Sequence, residues 1–198
     1  SALQLPGDPP YCSELNPSLS TWIHSLSDSL RQGMILIIDY GFPEPVYYHP
    51  QRHMGTLMCH FQHTAHDDPL IYPGIQDITA HVNFTAIAEA ASNCDLCVKG
   101  YTHQAAFLTA CHIQQFIDQS NPTAFHRDRH HVQLLTHPNE MGELFKVIAL
   151  SRDIAPPLDW VFFDQSTREA VSNNLFFLIY LAKKQPPIDF VFCFTPWH

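Results

Sequence analysis

Apolar residues recur at three- and four-residue spacing over residues 16–33, NPSLSTWIHSLSDSLRQG, with Leu19, Trp22, Ile23, Leu26 and Leu30 on one face. The spacing predicts an amphipathic helix, with Pro17 in its first turn and Gly33 at its stop. MILIID follows directly, residues 34–39, apolar at every position until Asp39. Such a run is the pattern of a parallel strand covered on both faces rather than a half-exposed edge. Helix, tight turn and buried strand together predict an α/β sheet.

Residues 42–77 break the rhythm, with five prolines and two glycines around short alternating pieces such as GTLMCHF. This predicts a long excursion containing a hairpin. From 77 to 94 a strand-like start leads into a helix with Phe84, Ile87, Ala88 and Ala91 on one face and Asn83 or Thr85 as its cap. Residues 103–120 predict another helix, with Phe107, Leu108, Cys111 and Ile117 inward, and residues 130–143 a third, interrupted by Pro138. LFKVIALS, 144–151, is a strand candidate. The tail then alternates a Pro156-Pro157 break, a strand-like DWVFF and two aromatic runs split by KKQPP.

Composition narrows the function classes. With 198 residues, 45% of them hydrophobic, and mean hydropathy −0.10, the chain suffices for one domain with a real core. A net charge of −9, with only ten Lys and Arg, argues against a nucleic-acid surface. The apolar run 175–182 is closed by Lys183 and Lys184, far short of the ~20 residues of a membrane span. Six unevenly placed cysteines suit a reducing intracellular compartment better than a disulfide scaffold.

Candidate chemistry is sparse. The seven glycines include no G-x-G pair, so neither a dinucleotide fingerprint nor a P-loop lies within these residues. His53, His60, His63, His66, Asp67 and Asp68 crowd into one stretch, but their spacing matches no metal-binding helix and predicts a turn at Asp67-Asp68-Pro69. Cys94 and Cys97 have C-x-x-C spacing without a second pair, the pattern of two ordinary thiols. No G-x-S-x-G elbow is present. Asp39, at the end of a buried strand, is placed either to meet a ligand in the crevice beyond the sheet or to open a turn with Gly41.

Taken in order, YCSELNPSLSTWI, GMILIIDYG, HMGTLMCHFQHTAHDDPLIYPGIQDITAHVNFTAIAEAA, GYTHQAAFL and MGELFKVIALS resemble the C-terminal portion of the MidA-like methyltransferase family. That family includes a mitochondrial complex I assembly factor that methylates an arginine. The resemblance covers about residues 11–165 and is most specific from Gly55 through Phe84. It implies the C-terminal part of a class I, Rossmann-like α/β sheet with a long inserted α+β excursion, GMILIIDYG being the fifth strand and LFKVIALS the sixth. Residues 1–165 would belong to this methyltransferase domain and 166–198 to a divergent tail.

The resemblance further implies S-adenosylmethionine as cofactor, its glycine-rich loop lying ahead of the matched region, and no metal. Glu14 and Asp39 are the candidate catalytic residues. Tyr40, His60, Asp77, His81 and Gln104 are the candidate substrate-binding residues. The implied partner is a protein substrate, a respiratory complex I subunit in the finest reading, met in the bacterial cytoplasm or the mitochondrial matrix. Two other classes stay open: a non-catalytic assembly module, and a His-rich metalloprotein or hydrolase built on residues 53–68.

Overall fold

The computed structural model describes residues 11–154 and the strand 189–194. Helix α1, Leu19–Ser29, leads into β1, Gly33–Phe42. A short helix α2, Glu44–Tyr47, and a 3-10 turn, Pro50–Arg52, open the excursion. It continues as β2, Met58–Phe61, β3, Thr64–His66, and β4, Asp77–Thr79. Then come β5, Val82–Asn83, α3, Phe84–Ser92, β6, Cys97–His103, and α4, Gln104–Ala110. Helix α5, Pro122–Thr136, β7, Phe145–Arg152, and β8, Asp189–Phe194, complete the order.

β1 is the centre of the main sheet, whose order is β5-β1-β7-β6 with β8 also paired to β1. Its odd and even positions point to opposite faces, and both faces are covered. Ile35 and Ile37 pack with Ile23 and Leu30 of the α1 region, Ile87 of α3, and Ile148 and Leu150 of β7. Met34 and Leu36 pack on the other side with Phe107 of α4, Cys111, Val147 and Ala149. The uninterrupted apolar run therefore does report a strand buried on both faces.

Its neighbours are only partly those expected. β1 runs parallel to β5 and β8, but β7 is antiparallel to it along Gly33↔Arg152 through Tyr40↔Phe145. β6, a strand absent from the periodicity reading, pairs antiparallel to β7 and precedes it in the chain. LFKVIALS is thus the strand between β1 and β6 in space. β6 was hidden because the ladder shifts register between Val98 and Gly100, which breaks the two-residue alternation, and because Cys97 and Val98 are exposed in succession.

The helices also differ in extent. The predicted 103–120 helix stops at Ala110, where His112 takes a left-handed conformation at φ 54° and a 3-10 turn, Ile113–Phe116, follows. The predicted 130–143 helix begins much earlier, at Pro122, capped by the Asn121 side chain, and ends before Pro138. Asn83 rather than Thr85 caps α3, accepting from the Ala86 N–H at 3.2 Å, while the Thr85 hydroxyl accepts from the Glu44 N–H. The predicted hairpin exists: Gln62 and His63, both at positive φ, turn β2 into β3, and β4 adds on β2's other edge. The boundary at 165, the DWVFF strand and the 175–182 run lie outside the described residues.

Candidate functional site

A cavity of about 790 Å³ opens at the carboxyl end of β1, between α1, β4, β5 and the start of α3. Asp39 sits on its wall because it follows Ile37 on the α1-facing side of the strand. Its side chain is buried, and Oδ1 accepts the Tyr40 main-chain N–H at 2.7 Å. Tyr40 lines the cavity too, its hydroxyl pushed above the usual phenol value chiefly by burial. Asp77 and Thr79 of β4 and His81 of the link to β5 face them.

The opposite wall is the chain ahead of α1. Cys12 forms a bridge with Met54, its N–H donating to the His53 carbonyl at 2.7 Å. Glu14 completes the attachment: Oε1 accepts the main-chain N–H of Thr56 and of Leu57, each at 2.6 Å. Oε2 accepts the Thr56 hydroxyl at 3.2 Å and the Tyr47 hydroxyl at 3.4 Å. Gly55 makes room for this carboxylate; a Cβ there would stand 2.3 Å from Oε1. Tyr47 has its hydroxyl pushed up to about 12, first by burial and then by the Glu14 charge.

His81 is held between rings, 5.2 Å from Tyr40 and 5.1 Å from Phe42 by centroid. Its main-chain N–H donates to the Thr56 hydroxyl, so Thr56 joins the Glu14 clamp to the His81 wall. Burial is the main cause that lowers the His81 pKa, and Arg52 adds to it. The Arg52 guanidinium stands over the Phe42 ring at 4.0 Å.

Five of the seven candidate residues therefore meet at one cavity: Glu14, Asp39, Tyr40, Asp77 and His81. His60 and Gln104 are not among its lining residues. His60 lies on β2 in register with Asp77, and Gln104 is buried at the start of α4, its amide donating to the Leu135 carbonyl. Trp22 and Thr79 also line the cavity, and Thr56 braces it through Glu14 and His81. Trp22, on the apolar stripe of α1, is 38% exposed and faces the cavity rather than the core. Nothing in the spacing marks Thr56.

Among the described residues no group of three or more His, Cys, Asp or Glu is arranged to hold a metal ion, so the histidines of 53–66 do not converge. The five described cysteines are free thiols, and the Cys94 carbonyl serves as an acceptor for Ser27 and Arg152. No helix among the described residues is long and apolar enough to cross a membrane.

Residues 1–102 match the model of a family described as "Putative S-adenosyl-L-methionine-dependent methyltransferase". The chain belongs to this methyltransferase family. It is 30% identical over 155 residues to the "Protein arginine methyltransferase NDUFAF7 homolog, mitochondrial" of Drosophila melanogaster, covering 74% of this chain and 33% of the relative. A crystal structure of an uncharacterised Burkholderia thailandensis protein superposes with TM-score 0.72 at 46% identity, over 77% of this chain and 42% of that one. A second structure from the same organism, bound to S-adenosyl-homocysteine, superposes with TM-score 0.70 at 46% identity, over 75% and 39%. The fold is the Rossmann-like methyltransferase fold, and the chain spans about a third of the curated relative it matches.

The lining residues fit part of a cofactor of that class. Ile37, Ile87 and Trp22 offer apolar surface, and the acids suit a cationic sulfur or an ammonium group. No glycine lines the cavity.

Proposed function

We propose that this chain supplies the acceptor side of an S-adenosylmethionine-dependent methyltransferase whose substrate is an arginine side chain of a protein. One observation carries the reading. Glu14, Asp39 and Asp77 line the cavity beside the rings of Trp22 and Tyr40, and no Lys or Arg is among the lining residues. A guanidinium is planar, permanently charged, bound by carboxylates and stacked on aromatic faces, so it matches such a wall. The naming of the Drosophila relative as a protein arginine methyltransferase supports the same choice.

The cofactor, when bound, supplies an electrophilic methyl group on a positively charged sulfur. The work of this chain is alignment. Asp39 and Asp77 hold and orient the guanidinium so that one nitrogen faces the methyl group. Tyr40 flanks its plane. His81, kept neutral by burial, adds no positive charge against it. Glu14, with both oxygens engaged by residues 47–57, shapes the wall. A respiratory complex I subunit as acceptor, in the mitochondrial matrix or bacterial cytoplasm, is the finer form of this proposal and rests on the family resemblance.

The test uses a polypeptide that carries this chain within the full family length. S-adenosylhomocysteine is titrated calorimetrically, and transfer of labelled methyl to an arginine peptide and its lysine counterpart is measured. The expected result is cofactor-product binding, arginine-selective labelling, and a tenfold or greater loss of labelling in Asp39→Asn. No heat of binding removes the methyltransferase reading; equal labelling of the lysine peptide removes the arginine one.

A further inference from the structure

Beside the acidic wall, basic side chains from separate parts of the chain gather around the ring of Phe42. Phe42 ends β1, Arg52 ends the 3-10 turn, Lys146 lies near the start of β7, and His81 lies between β4 and β5. The Arg52 guanidinium carbon stands 4.0 Å from the centroid of the Phe42 ring, Lys146 Nζ 5.9 Å and the His81 ring centroid 5.1 Å. Of these residues only His81 lines the cavity, where it meets Tyr40. The two permanent cations therefore stand one ring away from the cavity wall.

Neither cation has an ion pair among the described residues. The Arg52 guanidinium donates to the Val46 carbonyl and the Lys146 ammonium to the Glu143 carbonyl, which leaves most donors of each unused. The Phe42 ring meets the face of a guanidinium and takes none of its N–H groups. Burial is the first cause that lowers the Lys146 pKa, with the Glu143 charge acting the other way. After burial, Arg52 and Lys146 both lower the His81 pKa, so the two charges act on one place. Glu14, the acid that acts on the same imidazole, has both oxygens engaged by residues 47–57.

Part-buried cations without a counter-ion are costly to hold. In a chain of net charge −9 their gathering beside an acidic cavity is a local reversal of sign. The cavity wall suits a guanidinium, and the neighbouring pair suits a carboxylate, which takes parallel N–H groups from arginine. An arginine held in the cavity brings its flanking residues to the rim. The steps from His81 to Phe42, 5.1 Å, and from Phe42 to Arg52, 4.0 Å, are within the reach of two or three extended residues.

We propose that Arg52 and Lys146 form a carboxylate subsite, and that the protein substrate places an Asp or Glu there from within about four residues of the methylated arginine. The identity of the occupant rests on the arginine reading of the cavity; the subsite rests on the two cations around Phe42.

The test uses the family-length polypeptide that carries this chain. Fluorescent peptides hold an Arg and, within about four residues of it, a Glu, Gln or Lys; Kd is read by anisotropy and KM by transfer of labelled methyl. The Glu peptide should have Kd and KM lower than the Gln peptide by at least about tenfold, the size of one hydrogen bond from a charged donor. The Lys peptide should be the poorest. Arg52→Gln with Lys146→Gln should erase the preference, and Arg52→Lys with Lys146→Arg should keep part of it. Arg52→Glu with Lys146→Glu should turn the preference toward the Lys peptide, a reversal that loss of structure does not produce. Equal Kd for the Glu and Gln peptides in the unsubstituted protein overturns the proposal, as does a preference that survives Arg52→Gln with Lys146→Gln. Weaker S-adenosylhomocysteine binding in that variant, with no peptide preference to lose, gives the pair to the cofactor's carboxylate and also overturns it. The arginine reading fails separately: a Glu preference in Kd without labelling of any arginine peptide keeps the subsite and removes that reading.

Discussion

Glu14 Oε1 accepts the main-chain N–H of Thr56 at 2.6 Å, fastening the segment ahead of α1 to the middle of the proline-rich excursion. With the Leu57 N–H on the same oxygen, this carboxylate replaces the strand pairing that the loop at 55–57 lacks. Glu14→Ala leaves two part-buried N–H groups unmet, at ~1–3 kcal/mol each. The expected loss is about 2–4 kcal/mol in urea unfolding, with Glu14→Gln retaining part of it through the amide oxygen. A loss below about 0.5 kcal/mol in Glu14→Ala would show that the clamp does not hold the wall.

Arg152 makes a comparable junction behind the sheet. Its guanidinium donates to the carbonyls of Ser27, Leu30 and Cys94, each at 2.8 Å, and to the Ser27 hydroxyl. These carbonyls end α1 and follow α3, where the helix dipole favours a cation. Arg152→Ala should cost at least about 3 kcal/mol, since bonds from a charged donor contribute ~1.5–3 kcal/mol each. Arg152→Lys should recover only part, because one ammonium lacks the planar fork that reaches all these acceptors. Equal stability of the two variants in denaturant melts would contradict this.

Gly41 is required by space alone. A Cβ there would lie 2.1 Å from the Val82 carbonyl oxygen and 2.8 Å from its nitrogen, both main-chain atoms. Gly41→Ala must push β5 off β1, with an expected cost of about 1–3 kcal/mol. The cavity wall at 79–83 should open with it, seen as faster amide exchange at Val82 and Asn83 than at β7.

His81 gives stability a pH dependence of known sign. Burial lowers its pKa in the folded protein, so the unfolded chain takes up the proton first as pH falls. Its contribution is complete above the unfolded value of ~6.5 and declines as pH falls through that value toward the folded one. Urea unfolding at pH 7.5 and 5.5 should show a smaller acid loss in His81→Phe, which keeps the ring contacts, than in the unsubstituted protein. The other histidines cancel in that difference. An unchanged loss would place the titration elsewhere.

The central strand, the first helix and the hairpin were legible in sequence because each buries a regular stripe or sits at a turn with a strong local signal. β6 was not, since the register shift between Val98 and Gly100 breaks its alternation. The antiparallel setting of β7 was also hidden: burial on both faces gives the same apolar run whichever way the neighbour points. The acidic wall was found through Asp39, Asp77 and Glu14 as family positions. Their meeting depends on contacts across the excursion, such as Thr56 with His81 and with Glu14, that no local pattern encodes.

The register Gly33↔Arg152 has a further consequence, for the order of assembly. The ladder at the heart of the sheet joins strands more than a hundred residues apart in the chain. Closing so long a loop comes before any reward from the pairing, so the central ladder is expected to form slowly and late. On a ribosome β1 emerges long before β7 exists to pair with it. During that interval the edge that β7 will take has to be kept from other nascent chains by neighbouring parts of the fold or by a chaperone.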